Sequence, residues 1–195
     1  MIEQKLGQFL FSENAFVYAI LDGASVPDLP MRLFEMCPPN VCLYRGDLDA
    51  DLAEVAPYLV HLVPGTRFTN WLLSESWGKH WGIFVQSVYP LVEVRKHFRK
   101  FLTVHDQEGN PMLFRYYDPR VLPKFLPTCQ LEELDVIFGD KVRAYFAESD
   151  DAGELIRLQY VNNELKQWNF EMQQSMVGMP PHAQQPNQFA GVSYA

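Results

Sequence analysis

The apolar run at residues 15–21, AFVYAIL, is seven residues long and is closed by the turn signal Asp22-Gly23. A run so short and so sharply bounded fits a buried strand, and it falls far below the roughly 20 residues that cross a bilayer. Similar runs follow at residues 41–44, 56–63 (ending at Pro64-Gly65) and 81–88. Between them the apolar period lengthens. Residues 27–37 predict a short helix stopped by Pro38-Pro39. Phe68, Trp71, Leu72 and Glu75 keep helical spacing, with Thr66 as N-cap and Gly78 as terminator. Leu91, Val94, Phe98 and Phe101 mark one face of a further helix.

Two hairpins stand out. Residues 101–105 and 112–117 are β-rich and joined by a loop whose Gly109 can take a positive φ, and residues 142–148 and 155–161 flank a second loop at 149–153. Asp118-Pro119 reads as a helix start, with Asp as cap and Pro in the first turn. Leu131, Leu134 and Phe138 predict a short amphipathic helix closed by Gly139. Strands mixed with helices, including antiparallel pairs, predict an α/β (α+β) sandwich: a mixed sheet with antiparallel hairpins flanked by helices. Residues 163–195 hold six of the chain's twelve glutamines and three of its seven methionines. There Leu165, Trp168, Met172 and Met176 are spaced by three, four and four, which predicts a C-terminal helix, and beyond Met179-Pro180-Pro181 no periodicity survives. The expected organisation is a domain over residues 1–162, an amphipathic helix over 163–178 and a flexible tail over 179–195.

Apolar residues make up 48% of the 195 and aromatics 14%, enough for a packed core and too much for general disorder. The net charge of −8 argues against general nucleic-acid binding, which draws affinity from a basic face, and against anionic membranes. Cys37, Cys42 and Cys129 are an odd number without C-x-x-C spacing, so neither a disulfide framework nor a zinc site is signalled. Met1-Ile2-Glu3-Gln4-Lys5 lacks the pattern of a signal peptide, and a reducing cytoplasm is the expected location.

Catalytic signals are weak. There is no G-x-S-x-G elbow, no glycine-rich phosphate loop and no pair of histidines at i, i+4, so no metal or cofactor is expected. Residues 47–51, DLDAD, lack the glycine and distal glutamate of a calcium loop and read as a solvated acidic loop. These patterns single out no catalytic site, and a binding module is one reading. The alternative is a hydrolase using a dispersed Cys/His/Asp site, built on Cys129 or on His105 with Asp118.

Charge is unevenly distributed. Residues 91–124 carry seven basic and four acidic side chains, +3, between flanks of −5 and −6. Arg95, Lys96, Arg99 and Lys100 are either the wet face of a helix or a patch that steers an acidic partner. Arg115 and Arg120 are either buried partners of Asp22 or Asp118 or exposed anchors for a partner's carboxylates. Trp71, Trp77 and Trp81 read as core. Trp168 and Met172 form a candidate docking stripe, unless their helix packs back on its own sheet.

Ordered blocks extend this reading. They are Tyr18-Ala-Ile-Leu-Asp22-Gly23-Ala24, Ala56-Pro57-Tyr58-Leu59-Val60, Trp71-Leu72-Leu73 and Trp77-Gly78-Lys-His-Trp81-Gly82-Ile83-Phe84. After them comes the stretch from His97-Phe98-Arg99-Lys100-Phe101-Leu102 to Phe114-Arg115-Tyr116-Tyr117-Asp118-Pro119-Arg120-Val121-Leu122. In order and spacing these blocks resemble the effector adaptor, or chaperone, family of bacterial type VI secretion, often described only as a domain of unknown function. The resemblance spans about two thirds of the chain. It implies a cytoplasmic, non-enzymatic protein that binds a toxic effector and helps load it onto the VgrG spike, with no nucleic-acid or membrane partner. Many longer relatives carry a sizeable C-terminal helical lobe, whereas one helix and a tail are expected here after Val161, so no binding role of that lobe is transferred.

Overall fold

The computed structural model describes residues 1–172. In chain order the elements are α1 (Ile2–Leu10), β1 (Phe16–Asp22), α2 (Leu29–Met36), β2 (Asn40–Cys42), α3 (Ala50–Val55), β3 (Pro57–Leu62), α4 (Arg67–Glu75) and β4 (Gly82–Ser87). They continue with α5 (Leu91–Phe98), β5 (Thr103–His105), β6 (Pro111–Leu113), α6 (Leu122–Phe125), α7 (Leu131–Phe138), β7 (Ala144–Glu148), β8 (Glu154–Val161) and β9 (Glu164–Glu171).

Seven strands form one sheet in the order β2-β3-β1-β4-β7-β8-β9, and β5 and β6 form a separate two-stranded ribbon. β1 lies inside the sheet, with Tyr18 opposite His61 of β3 and Val85 of β4. Its side chains alternate: Val17, Ala19 and Leu21 enter one core and Tyr18 and Ile20 the other, all at most 1% exposed. The first core is covered by α1, α2 and α4, and the second by α5, α6 and α7. Helices on both faces explain why the seven-residue run is apolar without alternation. Gly82 permits the central pairing, because a Cβ there would fall 2.0 Å from the carbonyl oxygen of Ile20.

The α+β sandwich expected from the sequence is the fold observed, and its registered pairings are all antiparallel. The expected C-terminal helix is overturned. Over residues 164–171 the chain is β9, paired with β8 so that Trp168 lies opposite Arg157, and the turn residues Asn162 and Asn163 have φ of 54° and 60°. Two successive residues at positive φ are the signature of a type I′ hairpin, which asparagine tolerates. Trp168 and Met172 also share a face in a strand, together with Phe170, so their four-residue step fits a period of two as well as a helix, whereas Leu165 falls on the other face. Met176, the rest of the expected helix and the expected tail lie outside the described residues. The solvated loop expected at residues 47–51 begins a helix instead: Asp49 caps α3 by accepting the Leu52 N–H at 2.8 Å. Asp118-Pro119 opens a turn, and α6 begins four residues later with Val121 as its cap.

Candidate functional site

Two constructions use the basic residues, and they differ in what they leave free. The first is a brace at the end of β1. Asp22 is 3% exposed. Its Oδ1 accepts the Ala24 N–H, while its Oδ2 accepts the Ser25 hydroxyl at 2.7 Å and the Arg115 guanidinium. Gly23 is required beside it, since a Cβ would meet the carbonyl oxygens of Glu54 at 2.4 Å and Ala56 at 2.5 Å. Further along, Asp118 accepts Nε and Nη2 of Arg120 at 3.0 and 2.7 Å and the Arg120 N–H at 2.9 Å. These contacts hold the Asp118 carboxyl below its ordinary range despite the opposing effect of burial. The Tyr117 hydroxyl lies beside that of Tyr44, and burial pushes both phenols up. Arg115 and Arg120 thus pair with Asp22 and Asp118, but as half-exposed cations, 46% and 54% exposed, and not as the buried partners the sequence allowed.

Arg99 belongs to the same class. It leaves the end of α5 and donates Nε to the carbonyl of Leu43 at 3.0 Å and Nη2 to those of Cys42 at 2.8 Å and Tyr44 at 2.9 Å. One guanidinium therefore ties the exit of edge strand β2 to α5 and satisfies three backbone acceptors. His97, two residues earlier, is buried and donates Nε2–H to the Ile137 carbonyl at 2.8 Å, and burial lowers its pKa.

The second construction is a groove of about 420 Å³ between the β2 exit, the end of α5 and the β5–β6 ribbon. Arg45, Arg99, Lys100 and Leu113 are among its lining residues. Arg45 and Lys100 are exposed and make no ion pair among the described residues. On the outer face of α5, Lys96 pairs with Glu93 at 2.8 Å, and Arg95 is half-buried with a shielded Nε that has no partner. Sequence reasoning passed over Arg45 because it lies far from the basic segment in the chain; the Arg99 bridge brings it alongside.

The candidate stripe divides. Trp168 is 39% exposed on β9, with the Arg157 guanidinium 5.9 Å from its ring, whereas Met172 is 3% exposed inside the core. Met172 is therefore a packing residue, and no helical docking face joins it to Trp168. Of the tryptophans expected in the core, Trp81 is buried, Trp71 stacks on it at 5.4 Å, and Trp77 donates Nε1–H to the Ala152 carbonyl at 2.8 Å.

The groups named for dispersed catalysis have other engagements. The Cys129 thiol contacts the Phe125 carbonyl at 3.6 Å and is pushed up by burial, which disfavours the thiolate. Both Asp118 oxygens face Arg120, and His105 lies on the exposed ribbon. Among the described residues no cluster of three metal-ligating side chains occurs.

A family model described as a domain of unknown function, DUF4123, matches residues 17–135. The chain belongs to the DUF4123 family. Its matched segment contains the whole brace and both walls of the Arg45–Lys100 groove, and it ends within α7, so β7, β8 and β9 lie beyond the DUF4123 match. No curated protein and no solved structure matches the chain. Among the described residues no helix is long and apolar enough to cross a membrane.

Proposed function

We propose that this DUF4123 protein is a non-enzymatic cytoplasmic adaptor that binds a type VI secretion effector and helps load it onto the VgrG spike. The observation that carries the reading is the family match over residues 17–135, the segment that holds the ordered motif blocks. The geometry is compatible with it in a specific way: the polar motif residues Asp22, Arg115, Asp118 and Arg120 are engaged with one another, as befits a scaffold. The effector contributes acidic side chains to the groove, where Arg45 and Lys100 offer cations beside the apolar Leu113. Such a surface directs association and register more than it supplies affinity.

Co-expression with the product of the adjoining effector gene is the test. The expected result is a co-purifying complex and loss of effector solubility or delivery when the adaptor is deleted. An effector that stays soluble and is delivered without it would overturn the proposal. Nucleic-acid binding through the basic segment predicts instead a DNA mobility shift that weakens steeply with salt, and no shift is expected.

A further inference from the structure

The opposite face of the sheet carries a surface of opposite sign. The turn after β1, the start of α2 and the end of α3 enclose a groove of about 320 Å³ whose walls include Pro27, Met31, Glu54 and Val55. The apolar side chains around it are unusually bare. Met31 and Phe34, three residues apart on α2, are 60% and 82% exposed, and Leu52 and Val55, three apart on α3, are 42% and 45% exposed. Each pair lies on one side of its helix. Leu29 and Leu33 already anchor α2 in the core, so Met31 and Phe34 are not needed to hold it there.

The rim is acidic. Asp28 and Glu54 line the groove and Glu35 and Asp51 lie further along α2 and α3; all four are exposed and make no ion pair among the described residues. Residues 28–55 hold six acidic and two basic side chains. Neither cation pairs with a rim carboxylate: Arg32 donates Nε to the Pro27 carbonyl at 3.1 Å and lies 4.7 Å over the Trp71 ring, and Arg45 lines the other groove.

We propose that the α2–α3 groove docks an amphipathic helix of a partner protein, with apolar anchors at i and i+3 or i+4 against Phe34, Met31 and Val55 and with lysines or arginines over the acidic rim. Helix-in-groove recognition requires this combination of bare apolar stripe and complementary charge. The acidic rim repels an anionic membrane and a second acidic copy of the chain alike. The inference goes beyond the adaptor reading and does not depend on it. Together the two surfaces would let one small domain hold an acidic partner on one face and a basic helix on the other.

The test uses the full chain and a fluorescently labelled amphipathic Leu/Lys helical peptide, read by anisotropy at physiological salt. A Leu/Glu peptide of the same apolar pattern is the comparison. The Leu/Lys peptide is expected to bind and the Leu/Glu peptide not. Phe34, one turn beyond the lining residue Met31 on α2, extends the apolar surface past the groove, and Phe34→Asp is expected to weaken binding about tenfold or more, as loss of an aromatic anchor does. Its exposed position keeps the fold intact, which a thermal melt checks. The double variant Asp51→Lys/Glu54→Lys leaves the apolar stripe in place and is expected to weaken binding to a similar degree. Val136→Asp, at a 59% exposed site on α7, should leave it unchanged. Absence of Leu/Lys binding, equal binding by Phe34→Asp, or equal binding of the Leu/Glu peptide overturns the proposal. So does vesicle binding to phosphatidylglycerol, or a concentration-dependent dimer, that disappears in Phe34→Asp. These outcomes are independent of effector co-purification, so failure of either proposal is separately visible.

Discussion

Arg99 and Lys100 are neighbours in the chain, yet Arg99 commits its guanidinium to the carbonyls of Cys42, Leu43 and Tyr44 while Lys100 remains exposed at the same groove. The contrast repeats across the molecule. Arg115 and Arg120 close a brace on Asp22 and Asp118, whereas Arg45 has no carboxylate partner among the described residues. A positive stretch of sequence is thus two populations, one that builds the DUF4123 fold and one that faces outward. The difference lies in geometry. Arginine's fork can satisfy several fixed acceptors at once, and a lysine ammonium on a flexible stem stays hydrated more readily.

The comparison can be broken hardest on the building side. Gly82→Ala would force a Cβ to 2.0 Å from the Ile20 oxygen, a backbone atom inside the central pairing. A loss of about 4 kcal/mol or failure to fold is expected, measured by urea denaturation of soluble protein. A stable Gly82→Ala protein would show that the β1–β4 approach is looser than described.

Next in size are the brace and the bridge. Arg115→Ala leaves the Asp22 carboxylate buried without its cation, and Arg99→Ala leaves three carbonyls without a donor. Each should lower unfolding free energy by about 2 kcal/mol, below the range for a wholly buried pair because the Arg115 side chain is 46% exposed. Unchanged denaturation midpoints would move these arginines into the outward-facing population.

The histidines give a smaller effect with a definite sign. Burial holds His97 and His61 below the ordinary histidine value. Between the lowered value and about 6.5 the unfolded chain binds protons that the folded chain does not. Their stability contribution is therefore complete above that window and lost as pH falls through it. Thermal melts should show a lower midpoint at pH 5.5 than at 7.5, and His97→Gln should flatten the dependence by at most about 1.4 kcal/mol per pH unit. A wild-type midpoint that rises on acidification would contradict this sign.

Smallest for stability is the outward-facing set. Lys96→Glu and Lys100→Glu together should change unfolding free energy by about 0.5 kcal/mol or less, because the Lys96–Glu93 pair is exposed and Lys100 has no pair to lose. A large drop in melting temperature would show that these cations also build the fold.

Where sequence and structure agree, one signal dominated locally. The run ending at Asp22-Gly23 could be read because both faces of β1 are buried, whereas the pairing of Arg115 with Asp22 was one of several options the sequence left open, since the two lie 93 residues apart. The missed elements had competing readings. Trp168 and Met172 fit both a helical and an alternating period, and the Asn162-Asn163 turn that decides between them is a weaker signal than Asn-Gly. The short α3 escaped notice because it buries none of its residues, leaving the Asp49 cap as its main sequence mark. Arg45 was invisible as a site residue because the groove is assembled across distant segments, through hydrogen bonds that no local pattern encodes.

Under the proposed function, the outward-facing cations, and not the braced ones, hold the effector. The affinity of the co-expressed effector for an Arg45→Glu/Lys100→Glu variant, measured by titration calorimetry beside a thermal melt, tests it most directly. About a tenfold or greater loss of affinity at an unchanged melting temperature is the predicted result. Wild-type affinity in the folded double variant would contradict the account.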